Sequence, residues 1–276
     1  MGRLILLPAI IAWTIFLSPS AFAAEPIVIE GGRQSLRGVL YRPPGDGPFP
    51  AVVAMHGCGG LTTKSGSITA RFHDWGARLQ AAGFAVLFPD SFGSRGLGSQ
   101  CTNKQRTVRA SRERVDDANA ARRWLQAQPW VRPDRVSVIG WSNGATTTLY
   151  TVGQKTARPA VGADFQSAIA LYPGCRTLQA ARWIPRLPTL ILSGLADDWT
   201  PAAPCQRMAA AAQGVGAPVE ILTYPGAYHD FDVPDTPVHE RKGLAFSGDG
   251  SGTAHLGTNE AARADVIRRV PQWLAR

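Results

Sequence analysis

Apolar residues recur along the chain in two alternating rhythms. Short, largely apolar runs at 51–55, 84–88, 136–139, 166–171, 189–192 and 219–224 have the length and the β-branched and aromatic content of strands covered on both faces. Longer stretches between them repeat apolar positions at helical spacing: 71–81, ended by Gly83; 107–126, with Val108, Val115, Ala118, Ala121 and Leu125 near one face; 145–154; a short 204–212; and 260–274. Two further runs, 27–30 and 36–42, flank Gly31-Gly32 and predict an opening hairpin. Strand and helix alternating throughout predict the α/β class, with one domain, a mostly parallel central sheet and helices on both faces. There is no internal repeat and no linker. Two segments lack either rhythm. Residues 61–69 are polar and read as a mobile flap, and 234–257 are polar, Gly-rich and irregular, a segment expected to cover part of the site.

The N-terminus stands outside this pattern. Arg3 supplies a positive start, 4–17 is apolar, Ser18-Pro19-Ser20 breaks the run, and Ala21-Phe22-Ala23 is a small-residue cleavage site. That order predicts a signal peptide over 1–23 and a mature domain over 24–276 in a periplasmic or secreted setting. The apolar run falls short of the roughly 20 residues of a membrane helix, so no stable span is expected after cleavage. Export changes the meaning of Cys58, Cys101, Cys175 and Cys205, an even set without a C-x-x-C pair. Cys58 and Cys101 follow strands that open on one sheet edge, and Cys175 and Cys205 each follow one of two adjacent strands. Disulfides Cys58–Cys101 and Cys175–Cys205 are therefore expected. The composition, 45% hydrophobic and 18% charged over 276 residues, is that of a globular protein. The net charge of +9 comes mostly from scattered arginines, without a basic run interleaved with aromatics. That excludes a nucleic-acid reading and leaves a solvated basic exterior.

Candidate chemistry centres on Gly140-Trp141-Ser142-Asn143-Gly144. Strand, tight turn with a central Ser, then helix is the context of a G-x-S-x-G nucleophile elbow. The turn is sharp, and a side chain at either Gly would crowd the neighbouring strand or helix. The Asn143 amide falls at a helix N-terminus, where it can stabilise an anion. His56-Gly57-Cys58-Gly59-Gly60 follows another buried strand, and the Cys58 amide is the second expected oxyanion donor. A Ser hydroxyl needs a base, and after an elbow the partners come in the order Ser, acid, His. His229 follows the strand at 219–224, whereas His56 and His73 precede Ser142, and His239 and His255 lie in the irregular segment. Asp197 and Asp198 both follow the strand at 189–192. Asp197 comes first and is favoured as the acid; Asp198 also suits the start of the following helix. No H-x-x-x-H spacing is present, and this chemistry needs neither metal nor organic cofactor.

Taken together, these segments resemble the dienelactone hydrolase family across roughly residues 39–274. The resemblance is carried by the elbow, by His56-Gly57-Cys58-Gly59-Gly60, Pro89-Asp90-Ser91-Phe92-Gly93 and Tyr172-Pro173-Gly174-Cys175, and by Gly194-Leu195-Ala196-Asp197-Asp198-Trp199-Thr200-Pro201 and Tyr228-His229-Asp230-Phe231. It implies the α/β-hydrolase fold and places the acid at Asp197. It implies a substrate-binding Arg nearest to Arg95; Trp141, beside the nucleophile, is the other candidate substrate contact. The namesake enzymes use Cys as nucleophile, so Ser142 points to a broader carboxylesterase. The implied activity is cleavage of a small-molecule ester or lactone through an acyl-enzyme on Ser142. A catalytically silent scaffold, a peptidase or an acyltransferase on the same residues are the alternatives.

Overall fold

The computed structural model describes residues 24–30, 32–156 and 161–276. The signal peptide read from 1–23, and Gly31 of the opening turn, lie outside these residues. The chain runs β1 (Ala24–Ile29), β2 (Leu36–Tyr41), β3 (Phe49–Met55), α1 (Ala70–Ala81), β4 (Ala85–Pro89), a single 3-10 turn (Gly93–Arg95), α2 (Glu113–Gln126), β5 (Val131–Trp141) and α3 (Asn143–Val152). It continues through β6 (Ala168–Leu171), α4 (Arg176–Ala180), β7 (Thr189–Gly194), α5 (Ala202–Gln213), β8 (Val219–Tyr224), β9 (His239–Arg241), β10 (Ala254–Leu256) and α6 (Glu260–Leu274).

One eight-stranded sheet has the order β1-β2-β4-β3-β5-β6-β7-β8. β1, β2 and β4 pair antiparallel, and from β4 through β3 to β8 every pairing is parallel. The two-residue period of the strands divides the core. Ala51, Val53 and Met55 of β3 pack on one face with Ala118 and Leu125 of α2, Leu149 of α3 and Met208 of α5. Val52 and Ala54 pack on the other with Trp75 of α1 and Val266 of α6. Helices therefore cover both faces, as the alternating runs predict.

The strand order sets the place of the site. The chain leaves β3 for β4 on one side and returns to β5 on the other, and this reversal opens a crevice at the carboxyl ends of the strands. The register pairs Met55 with Gly140, so the Gly-rich loop and the elbow leave the sheet side by side.

The local structure adds to or departs from these readings at four places. The helix expected from 107 begins at Glu113, because the Glu113 carboxylate turns back to accept from the backbone N–H and guanidinium of Arg109. In the 61–69 segment Thr62 bridges Ile68, and Leu61 is buried. The irregular 234–257 segment contains the small β9–β10 sheet, and a parallel bridge joins Leu256 to His229. α4, five residues long, is too short to show a period. No helix among the described residues is long and apolar enough to cross a membrane.

Candidate active site

The elbow is held by close packing. Ser142 sits at φ 53°, ψ −116°, in the left-handed region that a non-Gly residue adopts only at a cost of about 1–3 kcal/mol. A Cβ on Gly140 would overlap the backbone of Gly144, and one on Gly144 would overlap the carbonyl oxygens of Met55 and His56. Both positions therefore require Gly. The turn raises the Ser142 side chain above the sheet and starts α3 at Asn143, two residues earlier than its apolar pattern indicates.

Chain reversal brings the three distant residues together. His229 Nε2 and Ser142 Oγ are 2.9 Å apart. On the other side of the imidazole, Nδ1 is 2.9 Å from Asp197 Oδ2. Asp197 is buried in turn and accepts from the amides of Trp199 (2.9 Å) and Thr200 (2.7 Å) and from the Thr200 hydroxyl (3.0 Å). Burial disfavours the His229 cation, but the charge and hydrogen bond of Asp197 outweigh it and raise the pKa above the ordinary imidazole value. The rings of Tyr172 and Trp199 flank the imidazole at 4.7 and 4.5 Å. Asp198 turns the opposite way and holds His255 Nδ1 at 2.7 Å, together with the His255 amide at 2.8 Å. A hydroxyl joined to an imidazole, itself joined to a buried carboxylate, is an arrangement able to remove the hydroxyl proton and shelter it as a cation.

The Gly-rich loop lies against the elbow, and a Cβ on Gly57 would stand 3.7 Å from Ser142 Cβ. Cys58 is bonded to Cys101, and its carbonyl accepts from the Gln100 amide at 2.8 Å. The second disulfide joins Cys175 to Cys205. Both pairings are those expected. His56 is fully buried and neutral: burial, then the charge of Arg114, holds its pKa well below normal. Its Nδ1–H donates to the Gly57 carbonyl at 2.8 Å, and its Nε2 accepts from the Ser91 amide at 3.1 Å.

Two cavities open on Ser142. One, of about 260 Å³, is bounded by Cys58, Arg71, Trp199, His229, Asp230 and Arg241. The other, of about 140 Å³, is bounded by Asn143, Arg106, Thr146, Trp199 and Phe246, and the last four also line a groove of about 530 Å³ beyond it. Trp199 and Cys58 line both. Arg95 lies elsewhere, making two hydrogen bonds to Asp117 (2.7 and 2.9 Å) and one to the Ser91 carbonyl, and it borders neither cavity. Trp141 is buried beneath the elbow, its ring N–H donating to Asp232 at 2.9 Å.

Several site residues escape sequence reasoning. Asp232, fully buried, also accepts from Trp75 (2.7 Å) and from the Tyr172 hydroxyl (2.5 Å), and so binds three separate segments behind His229. Arg71 pairs with Asp230 at 2.6 Å inside the larger cavity beside Ser142. Partners this far apart in the chain leave no local pattern. The adjacency of Asp230 and Asp232 to His229 was the available signal. Among the described residues no group of three or more His, Cys, Asp or Glu could hold a metal ion.

The chain is 26% identical over 237 residues to a protein of Methylorubrum extorquens described as a candidate carboxymethylenebutenolidase, covering 80% of this chain and 81% of the relative. It is 24% identical over 242 residues to an uncharacterized peptidase, YuxL, of Bacillus subtilis; the match covers 76% of this chain but 36% of that protein, so the chain spans about a third of that relative's length. Among solved structures, Thermogutta terrifontis esterase 2, phosphoramylated by tabun, superposes with a TM-score of 0.65 at 20% identity, over 93% of this chain and 96% of that one, a likeness of fold. The model of the dienelactone hydrolase family matches residues 36–276, and the chain belongs to that family.

Proposed function

We propose that this hydrolase-family member is an exported serine esterase that cleaves carboxylic esters or lactones through an acyl-enzyme on Ser142. The observation that carries the reading is the continuous hydrogen-bonded relay from Ser142 through His229 to Asp197, set on a strained elbow. As Ser142 Oγ attacks the ester carbonyl carbon, its proton passes to His229 Nε2, and Asp197 stabilises the resulting cation. The carbonyl oxygen, now negative, is received by the amides of Cys58 and Asn143, a contribution of roughly a hundredfold or more in rate per donor. Collapse breaks the bond to the alkoxide leaving group, which takes the proton from His229. Water then attacks the acyl carbon with His229 again as base, releasing the acid and restoring Ser142. In a lactone the leaving alkoxide stays tethered to the acyl group. None of these steps needs a metal or an organic cofactor.

The two cavities flanking Ser142 would take the two arms of the substrate. The paired disulfides suit an oxidising compartment, which supports export and removal of residues 1–23. The test is hydrolysis of p-nitrophenyl acetate and labelling by a fluorophosphonate. Wild-type protein should turn over the ester and take up one label per chain. Ser142→Ala should do neither while keeping its circular dichroism spectrum. Full activity in that variant would remove the proposal. A panel with peptide amides beside esters and lactones decides between esterase and peptidase.

A further inference from the structure

Arg114 is a charged side chain with no exposed surface, on the first turn of α2 beneath the crevice. Its guanidinium reaches the two loops that border Ser142. Nη1–H donates to Asn143 Oδ1 at 2.6 Å, and Nη2–H donates to the His56 carbonyl at 2.6 Å. One acceptor belongs to the residue that opens α3, and the other lies two residues before Cys58. Its Nε has no partner, and the Phe92 ring lies 5.0 Å from the guanidinium carbon. A buried cation would ordinarily be satisfied by a carboxylate, because burying one without a partner is costly. Here the contacts within hydrogen-bond distance are neutral oxygens, so the cation is spent on geometry.

We propose that Arg114 is the positioning residue of the oxyanion hole, fixing the separation of the Cys58 and Asn143 amides by tying their two loops to one rigid guanidinium. The inference rests on the esterase reading above. The planar fork suits this task, since its two N–H directions are fixed relative to each other and a flexible ammonium offers no such template. Both hydrogen bonds are charge-assisted and therefore short and strong. His56 completes the brace by fastening the Gly57 carbonyl on one side and Ser91 on the other. Burial, followed by the opposing attraction of Asp117, leaves Arg114 with a pKa of about 9, so the brace is charged at neutral pH. A fixed positive charge behind the donor amides also favours the developing oxyanion.

The test compares Arg114→Met and Arg114→Lys with Arg122→Met. Arg122 is the other fully buried arginine of α2, bonded to Gln126 and to the Val161 and Ala163 carbonyls away from the crevice. Each variant is measured for kcat and KM on p-nitrophenyl acetate, for inhibition by a trifluoromethyl ketone that binds as a hemiketal oxyanion, and for thermal midpoint. Arg114→Met should lower kcat roughly 10- to 100-fold, with KM within about twofold, since the lost interaction forms in the transition state. Its inhibition constant for the ketone should rise in proportion. Arg122→Met should lose stability and keep kcat. Arg114→Lys should fall between wild type and the Met variant, and it decides the matter if the Met variant does not fold. A folded Arg114 variant with wild-type kcat and ketone affinity overturns the proposal. A wild-type protein without Ser142-dependent turnover overturns the esterase reading instead, so the two failures are distinguishable.

Discussion

Two neighbouring carboxylates, Asp197 and Asp198, differ by one position and serve opposite ends of the same loop. The first faces His229 and is buried among three donors; the second faces His255 and remains about 42% exposed at its side chain. Their contrast gives a prediction. Asp197→Asn should reduce kcat by roughly 10³- to 10⁴-fold, because the amide holds the imidazole in the wrong tautomer and no longer stabilises its cation. Asp198→Asn should leave kcat within a few-fold. The pH profile tests the same point. In the proposed mechanism His229 acts as a base only when neutral, so activity should rise with pH through its pKa. Asp197 raises that pKa, and the acid limb of the wild type should lie above the ordinary imidazole value of 6.5. Removing the Asp197 charge leaves burial as the dominant influence, and the limb should move to lower pH. An unshifted limb in kcat/KM for Asp197→Asn would argue against this role.

Among the elements, the elbow with β3 and β5 is the unit on which the rest is set. Gly144 is the most constrained position, because a Cβ there would overlap the carbonyl oxygens of Met55, at the end of β3, and of His56 just beyond it. Gly144→Ala would force the two strand ends apart and should lower stability by several kcal/mol, read as a fall in thermal midpoint and loss of ester turnover. This unit was legible in the sequence because its causes are local. An apolar run, two close glycines, a central Ser and a helical run are contiguous, and chain order then selects His229 and the Asp197-Asp198 pair. The Arg114 and Asp232 contacts were not legible, because each joins residues tens of positions apart whose only relation is the strand order. Arg95 illustrates the converse. It was the nearest Arg after β4 to the family's substrate-binding position, yet Asp117 on α2 stands within reach and draws its guanidinium away from the cavities. The helix start at Glu113 was missed for a related reason: a side-chain hydrogen bond to the backbone competes with the periodic signal.

For the molecule as a whole, the disulfides fasten different parts of the crevice. The bridge between cysteines 43 positions apart holds the Gly-rich loop, and the one between cysteines 30 positions apart holds the loop after β6 to α5. Loop-closure entropy gives each about 4 kcal/mol in the chain-entropy model, which corresponds to roughly 10 °C in a domain of this size. Replacing Cys175 and Cys205 together by Ser should lower the thermal midpoint by about that amount with little change in kcat. Replacing Cys58 and Cys101 together should lower both, since the first carries a proposed oxyanion amide. Equal kcat in the two double variants would show that the Gly-rich loop keeps its shape without its bridge. The pairing was readable from the sequence because parallel strands deliver their C-terminal loops to one edge. Export itself is tested at the other end of the chain, where sequencing of the mature protein should begin at Ala24, the first residue of β1.

The indole of Trp199 borders both compartments and lies against the imidazole. Under the proposed function, selectivity for the acyl and alcohol portions of a substrate is coupled through this one side chain. Shortening this side chain to Ala would merge two rooms into one hall, and bulkier partners should become acceptable on both sides at once.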